Sequence, residues 1–134
     1  MIWKKWKNSL SEFANKERGM YEQLAIGVAF YTVMHIAVWF GTNLQFIDGW
    51  KDKSFLIAIV LSIPITCMAY MGTKFTYHAL SDSAWSSRFI GFGTSWLVFP
   101  ILTWAFLHES MLTPKTLICI ALSFIIIGVQ VWMP

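Results

Sequence analysis

"LAIGVAFYTVMHIAVWFGTNLQF", residues 24–46, runs for 23 residues without an Asp, Glu, Lys or Arg. About 20 such residues in a helix are enough to cross the hydrocarbon core of a bilayer. A helix also satisfies its own backbone hydrogen bonds, which lipid cannot do for it. The stretch therefore predicts a transmembrane helix, and the rest of the chain repeats the pattern.

Three more apolar runs follow, at residues 55–73, 89–107 and 116–133, and none contains a charged residue in its interior. The links between the runs are short, so consecutive helices are expected to be antiparallel neighbours. We therefore predict an all-α fold, an integral membrane bundle of four transmembrane helices within residues 20–134. The links are too short to hold a separate catalytic domain.

The composition supports lipid as the surrounding medium. Hydrophobic residues make up 57% of the 134 residues and charged residues only 13%, whereas soluble domains have about a quarter charged residues. The eight tryptophans suit the headgroup level of a membrane, where one end of the ring is wet. Cys67 and Cys119 lie inside apolar runs and are predicted to be buried free thiols.

The first 19 residues differ from the rest of the chain. Lysines and apolar residues separate onto different faces at helical spacing, which is typical of an amphipathic helix lying on an anionic leaflet. The alternative is a solvated tail that only helps to set topology. Half of the ten Lys and Arg fall in the first 18 residues, so the net charge of +3 favours lipid over nucleic acid as a partner. The apolar face contains Ile2, Trp3, Trp6, Leu10 and Phe13, and the lysines predicted at the membrane surface are Lys4, Lys5 and Lys7.

The distribution of basic residues predicts a single orientation in the membrane. With four spans, both termini and the middle link share one side. That side has seven basic residues and the other has three, so the positive-inside rule predicts cytoplasmic termini. We expect the inner membrane of a bacterial-type cell. The seven are Lys4, Lys5, Lys7, Lys16, Arg18, Lys74 and Arg88, and the three are Lys51, Lys53 and Lys115.

Proline and small residues mark positions where the helices are unusual. Pro64 and Pro100 lie inside the second and third runs, where each removes an internal hydrogen bond and can kink its helix. Gly91 and Ser95 have a spacing that permits close helix approach. Pro114 suits the first position of the last helix, with Thr113 as its N-cap.

The second half of the chain carries a recognisable local pattern. In "SRFIGFGTSWLVFPILTWAFLHESMLTPKTLICIALSFIIIGVQVW", residues 87–132, a glycine-bearing run ends in "TWAFLHE" and an "LTP" turn leads into an uncharged run. This resembles the last two helices of the small multidrug resistance family and, more broadly, the drug/metabolite transporter superfamily. The resemblance implies a four-helix fold that transports small solutes as an oligomer.

The first run departs from that family at its functional centre. Residues 37–43, "AVWFGTN", are similar to the family's first-helix stretch, and the family's essential glutamate falls on Val38. Valine cannot titrate, so proton/drug exchange through that carboxylate is not implied here. The single predicted orientation also means that a dimer of this chain is parallel, unless the chain pairs with a different protein of opposite topology.

Polar and aromatic side chains within the runs form a candidate solute site. His35 lies near the middle of the first run, and an imidazole at this depth is rare and often functional. Tyr31 and Trp39 share its helical face, and Tyr70 and Trp96 on the next two runs could complete an aromatic site. The alternative is a neutral His35 bonded to a neighbouring helix, with the aromatic residues serving packing or facing lipid.

The sequence therefore predicts a small-solute transporter or transporter subunit. Without a central carboxylate, a neutral, zwitterionic or anionic solute is at least as well favoured as a cation. The competing interpretation is a structural or accessory membrane protein that packs in a larger assembly without transporting anything. We expect no enzyme, metal or cofactor, because no catalytic set shares a face and no metal-ligand spacing occurs.

Overall fold

A computed structural model describes the backbone of residues 1–134 and every side chain except those at positions 13, 14 and 17. The predicted apolar-face residue Phe13 therefore lies outside the described side chains. The fold is all-α, as the sequence predicted. Its helices are α1 (Ile2–Asn43), which ends in a 3₁₀ turn (Leu44–Phe46), α2 (Lys51–Ala79), α3 (Ala84–Leu107) and α4 (Pro114–Trp132).

Four helical segments are long and apolar enough to cross a membrane, and they correspond one to one to the predicted runs. The protein is thus an integral membrane protein. Most of the segments extend past the predicted bounds because a helix continues into the interfacial layer after its last apolar residue. The segments are Arg18–Phe46, Lys51–Ala79, Ala84–Leu107 and Pro114–Trp132.

Residues 1–19, which the sequence predicts to lie on the membrane surface, are helical but do not form a separate helix. α1 passes through Gly19 without interruption and continues into the first span. Ile2, Trp3 and Trp6 are exposed, so nothing in the chain covers the described apolar side chains at this end. A Cβ added at Gly19 would meet no atom within 4 Å, so no neighbouring helix packs against this position.

The helices pack unequally. α1 packs extensively on α2 and less on α3, whereas α4 packs on α3 and makes no comparable contact with α1 or α2 among the described residues. Few side chains are buried, and most large apolar residues face outward, as expected where lipid is the solvent. The prediction that Cys67 and Cys119 are buried was wrong. Both are free thiols on the exterior, because apolar runs in a membrane bundle have an outward face.

The helix ends are fixed by local chemistry. Ser83 caps α3 by accepting a hydrogen bond from the Ser86 backbone N–H, 3.1 Å away. His108 ends the same helix in the left-handed region, at φ 57°. Thr113 occupies the N-cap position of α4 with Pro114 following, as predicted, but its hydroxyl accepts no backbone N–H and instead donates to the Thr116 hydroxyl.

The link between α1 and α2 contains a local ion pair outside the membrane spans. The Lys51 ammonium lies 2.8 Å from the Asp48 carboxylate. The hydrogen bond from Lys51, together with its positive charge, lowers the pKa of Asp48 from its ordinary value. Gly49 lies between them at φ 85°, where a side chain would strain the turn.

Candidate functional site

A cluster of four hydroxyl groups, buried except at Thr73, joins three helices. The Tyr31 hydroxyl lies 2.9 Å from the Thr73 Oγ1 and 3.2 Å from the Ser87 Oγ, so one side chain of α1 bonds to both α2 and α3. Thr76 donates to the Gly72 carbonyl at 2.8 Å. Because the Thr76 hydroxyl proton is used in that bond, Thr76 accepts a hydrogen bond from the Ser87 hydroxyl. Ser87 has then used its own proton, so it accepts from the Tyr31 hydroxyl. We call Tyr31, Thr73, Thr76 and Ser87 the hydroxyl cluster.

Glycines make room for this cluster. A Cβ at Gly72 would lie 2.8 Å from the Tyr31 ring, and one at Gly91 would lie 3.2 Å from it. A Cβ at Gly27 would lie only 2.5 Å from the Thr76 methyl. The Tyr31 ring therefore lies between bare backbone on α2 and α3, and it is 5% exposed. The predicted close approach at Gly91 is a contact within the chain, made to a tyrosine ring.

His35 bonds across to α3. Its Nε2 lies 2.8 Å from the Gly91 carbonyl oxygen, which can only accept, so Nε2 carries a proton. The Thr94 hydroxyl donates to the same oxygen at 2.7 Å. No described residue bonds Nδ1, which is left as an acceptor when the ring is neutral. This is the interhelical bond anticipated by the alternative interpretation of His35. It leaves the Nδ1 edge of the ring available to accept a hydrogen bond.

Trp39 is a packing residue at the other end of the α1–α3 contact. It is 2% exposed, and its Nε1–H donates to the Thr103 hydroxyl at 3.0 Å. The Phe40 and Phe106 rings pack around it, with centroids 5.3 and 5.5 Å from the Trp39 centroid. Trp39 is therefore covered by protein on all sides, and it does not line the cavity described next.

A cleft of about 720 Å³ begins at the hydroxyl cluster and lies against α3. Tyr31 and His35 both line it. One end is at the start of α3, where Trp85 and Arg88 lie, and Ser95 lines the part within the span. Most of its wall is apolar, and Ile126 of α4 contributes the far side. We call it the His35 cleft. Its lining residues are Tyr31, Met34, His35, Ala69, Thr73, Ala84, Trp85, Ser87, Arg88, Phe89, Gly91, Phe92, Ser95 and Ile126.

The structure does not bring all five predicted site residues together. Tyr70 is 68% exposed on the outer surface of α2, in a shallow depression shared with Lys74. Trp96 lines a different cavity, of about 210 Å³, which also includes Glu109 and which we call the Trp96 cavity. Its indole Nε1 is buried and has no hydrogen-bond partner among the described residues. Tyr31 and His35 share one cleft, whereas Trp39, Tyr70 and Trp96 do not line it.

Sequence reasoning missed most of the polar residues of the site. Thr73 is the last residue of the second predicted run, Thr76 and Ser87 fall in the link that follows it, and Arg88 is counted only among the seven topology charges. The available signal was the short "GTKFT" stretch, residues 72–76, which places a glycine and two threonines within about one helical turn.

The fold and the cleft together define a class, an integral membrane protein of four helices with a partly open, mainly apolar cleft. Comparison with protein-family models, with curated proteins and with solved structures finds no match. The likeness to the small multidrug resistance family therefore stays a prediction that rests on the sequence pattern.

Proposed function

We propose that the protein is a small-solute transporter, or a subunit of one, of the drug/metabolite transporter type, and that its solute binds in the His35 cleft. The observation that carries the proposal is the cleft itself. It has a volume of about 720 Å³ and reaches from the start of α3 to a histidine in the middle of the first span. Pockets that hold drug-sized molecules have volumes of roughly 300–1,000 Å³.

The helices beside the cleft have features that suit a transport path. Pro64 in α2 and Pro100 in α3 have no N–H, so the carbonyls of Val60 and Trp96 lack their helical donors. Free carbonyls at membrane depth are tolerated where they line a cavity or meet other polar groups. Trp96 lines one of the cavities, which supports a path along α3.

The proposed transport does not use the family's carboxylate. Val38 stands where the glutamate falls, and no acidic residue is among those that line the cleft. Within the span, the polar groups that line the cleft are the His35 imidazole and hydroxyls such as that of Tyr31. A neutral, zwitterionic or anionic solute suits this lining better than a cation that needs a counter-charge.

An oligomer completes the proposal. One chain leaves the cleft partly open and most of α4 uncovered, since Ile127 is the buried side chain among its described residues. A second copy in the same orientation, or a different membrane protein of opposite topology, would cover this surface. Counting subunits by single-molecule photobleaching in bilayers tests it, and a chain that stays monomeric there contradicts it.

The transport proposal is tested in liposomes. Purified protein is reconstituted and assayed with a panel of neutral, zwitterionic and anionic solutes. We expect uptake of at least one class, with loss of uptake in Ile126→Trp, whose larger side chain obstructs the cleft, and not in Ile125→Trp, which is similarly exposed but does not line the cleft. His35→Ala is expected to change the rate of uptake. Absence of flux for every class overturns the proposal.

A specific observation favours the second candidate, a structural or accessory subunit. Tyr31 and Trp39 are buried and His35 is bonded to a backbone carbonyl, so these three predicted site residues also serve packing. An accessory role predicts stoichiometric co-purification with a larger membrane complex, no flux in liposomes, and loss of the complex when the exposed face of α4 is substituted.

We also propose that both termini are cytoplasmic in the inner membrane of a bacterial-type cell. The support is the basic residue count, seven against three. The exposed tryptophans and lysines at the start of α1 support binding of this end to an anionic leaflet.

A further inference from the structure

We infer that the His35 cleft takes an amphiphilic anion, a single negatively charged group joined to an apolar body, with the charge at Arg88. This inference rests on the proposed solute site and names its ligand class. It starts from the charges around the cleft. Arg88 is the one permanently charged side chain in the lining, and the lining contains no carboxylate to oppose it.

Arg88 is available for a ligand. The ion pairs among the described residues are Lys51 with Asp48 and His78 with Asp82, so Arg88 has no acidic partner there. Arg88 also makes no hydrogen bond to a described residue, and its side chain is exposed. A guanidinium presents five donors in a planar fork, which matches a carboxylate or phosphate group.

The position of Arg88 fits the charged end of an amphiphile. It is the fifth residue of α3, close to the membrane surface, and the cleft continues from it toward Ser95. Seven residues of helix separate these two side chains, a distance of about 10 Å along the axis. The wall over this distance is mainly apolar, with Phe89, Phe92 and Met34 among its residues. A ligand with its charge at Arg88 buries an apolar body against these side chains.

His35 adds a polar contact deeper in the cleft. Its Nε2–H is committed to the Gly91 carbonyl, so the neutral ring offers Nδ1 as an acceptor. Gly91 follows Arg88 by three residues, which puts this acceptor about one helical turn below the charge. A hydroxyl or amide N–H on the apolar body, near the anionic group, would satisfy it.

Two sources can supply this chemistry, an anionic phospholipid from the leaflet or a single-chain anionic solute such as a fatty acid. Photoactivatable probes with the reactive group on the acyl chain distinguish them. The first anionic probe is phosphatidylglycerol, and its match is phosphatidylcholine, which has no net charge. The second anionic probe is a fatty acid, and its match is the neutral methyl ester. The intact chain is labelled in phosphatidylcholine nanodiscs, and cross-linked peptides are located by mass spectrometry.

The expected result is labelling of cleft residues such as Met34 and Ser95 by an anionic probe in preference to its match. One basic side chain at a membrane surface changes binding by about fivefold. Arg88→Gln should therefore reduce the preference by about that factor. Arg18→Gln, at the chain's other arginine, should leave it unchanged. Whichever probe shows the preference identifies the source.

A pair of tryptophan variants, one at a residue that lines the cleft and one beside it, distinguishes a ligand bound in the cleft from lipid that merely touches Arg88. Ile126→Trp should abolish the labelling of cleft residues, and Ile125→Trp should not. Equal labelling by charged and neutral probes overturns the inference, as does a preference that survives Arg88→Gln or Ile126→Trp. Flux of a neutral solute together with equal labelling by the charged and neutral probes leaves the transport proposal standing and overturns this one. Labelling that depends on Arg88, without flux of any solute, supports this inference and overturns the transport proposal.

Discussion

At the scale of single residues, Tyr31 is the side chain on which the contact of three helices depends. Its ring lies against Gly72 and Gly91, and its hydroxyl reaches Thr73 and Ser87. Removing the hydroxyl leaves the ring in place but leaves Ser87 without its donor. The expected effect is therefore on stability more than on the shape of the cleft.

We expect Tyr31→Phe to lower the free energy of unfolding by about 1 kcal/mol, the usual net value of a hydrogen bond, with interhelical bonds in membranes toward the lower end of the range. Tyr70→Phe is the matched control, because Tyr70 is exposed and makes no side-chain hydrogen bond among the described residues. Thermal unfolding in detergent measures both. Equal losses in the two variants contradict the role given to the Tyr31 hydroxyl.

The residues of the site show what the sequence could and could not reveal. A periodic helix predicts that Tyr31, His35 and Trp39 share a face, and all three do pack toward α3. It does not predict how deep in the interface each one lies, since that depends on which neighbours are glycine. Trp39 is covered because Thr103 and Phe106 lie opposite it, and Tyr70 faces outward because of the rotation of α2. Both depend on interhelical register, which periodicity alone does not fix.

At the scale of elements, α4 is held by a small contact. Ile127 is the buried side chain among the described residues of this helix, and a Cβ at Gly93 would lie 2.8 Å from its Cδ1. The Ile127 Cδ1 methyl is the flexible end of its side chain and can rotate away from an alanine at position 93. A leucine at position 93 is too large for that adjustment and pushes Ile127, and α4 with it, away from α3. Overpacking of this kind typically costs about 1–3 kcal/mol.

We expect Gly93→Leu to widen the spacing between α3 and α4, and the double variant Gly93→Leu/Ile127→Val to recover part of the lost stability by making room. Gly93→Ala is the control, with little change in spacing because the Ile127 methyl can rotate away. Distances between spin labels on the exposed faces of α3 and α4 measure the spacing, and thermal unfolding measures the stability. No recovery in the double variant, or no change in spacing with leucine, shows that this contact does not position α4.

α1 poses a separate question of geometry. Its 42 residues span about 63 Å if straight, roughly twice the hydrocarbon thickness. If residues 1–19 lie on a leaflet, as the sequence predicts, the helix must bend near Gly19, where no neighbour holds it. We expect a bend in bilayers that contain anionic lipid.

Spin labels at Lys7 and Gln23 test this bend. A straight helix separates the two backbones by about 24 Å, from 16 residues of rise. Bending should shorten the distance in vesicles with phosphatidylglycerol and not in detergent. Replacing Lys4, Lys5 and Lys7 by Gln, with the first label moved to Asn8, should abolish the shortening. An unchanged long distance in both media contradicts an in-plane segment.

At the scale of the whole molecule, the number and nature of the helices could be predicted because an uncharged run of this length forms few structures other than a membrane-spanning helix. How much each helix contributes to the packing of the bundle could not be predicted. All four runs look alike in composition, yet α1 is central and α4 peripheral. The difference comes from where the chain places the glycines and hydroxyls that allow close approach, and these contribute little to average hydropathy.

Orientation is also a property of the whole molecule. We expect an alkaline phosphatase fused after Pro134 to be inactive, and one inserted in the α1–α2 link near Gly49 to be active, because the enzyme works only outside the cytoplasm. Substituting the five basic residues of the first 18 by Gln leaves two against three and should produce mixed orientation. Activity at both positions in the unaltered chain contradicts a single orientation.

The peripheral position of α4 also affects access to the interior. Ile127 attaches this helix to its neighbour, and the adjacent Ile126 borders the His35 cleft. A sideways shift of α4 therefore changes the aperture, the open side of the His35 cleft. The helices α1, α2 and α3, which Tyr31 joins, keep their arrangement. Since the outer side of α4 is exposed and faces acyl chains in a bilayer, we expect lateral pressure to act on that aperture, so that its width varies with membrane composition.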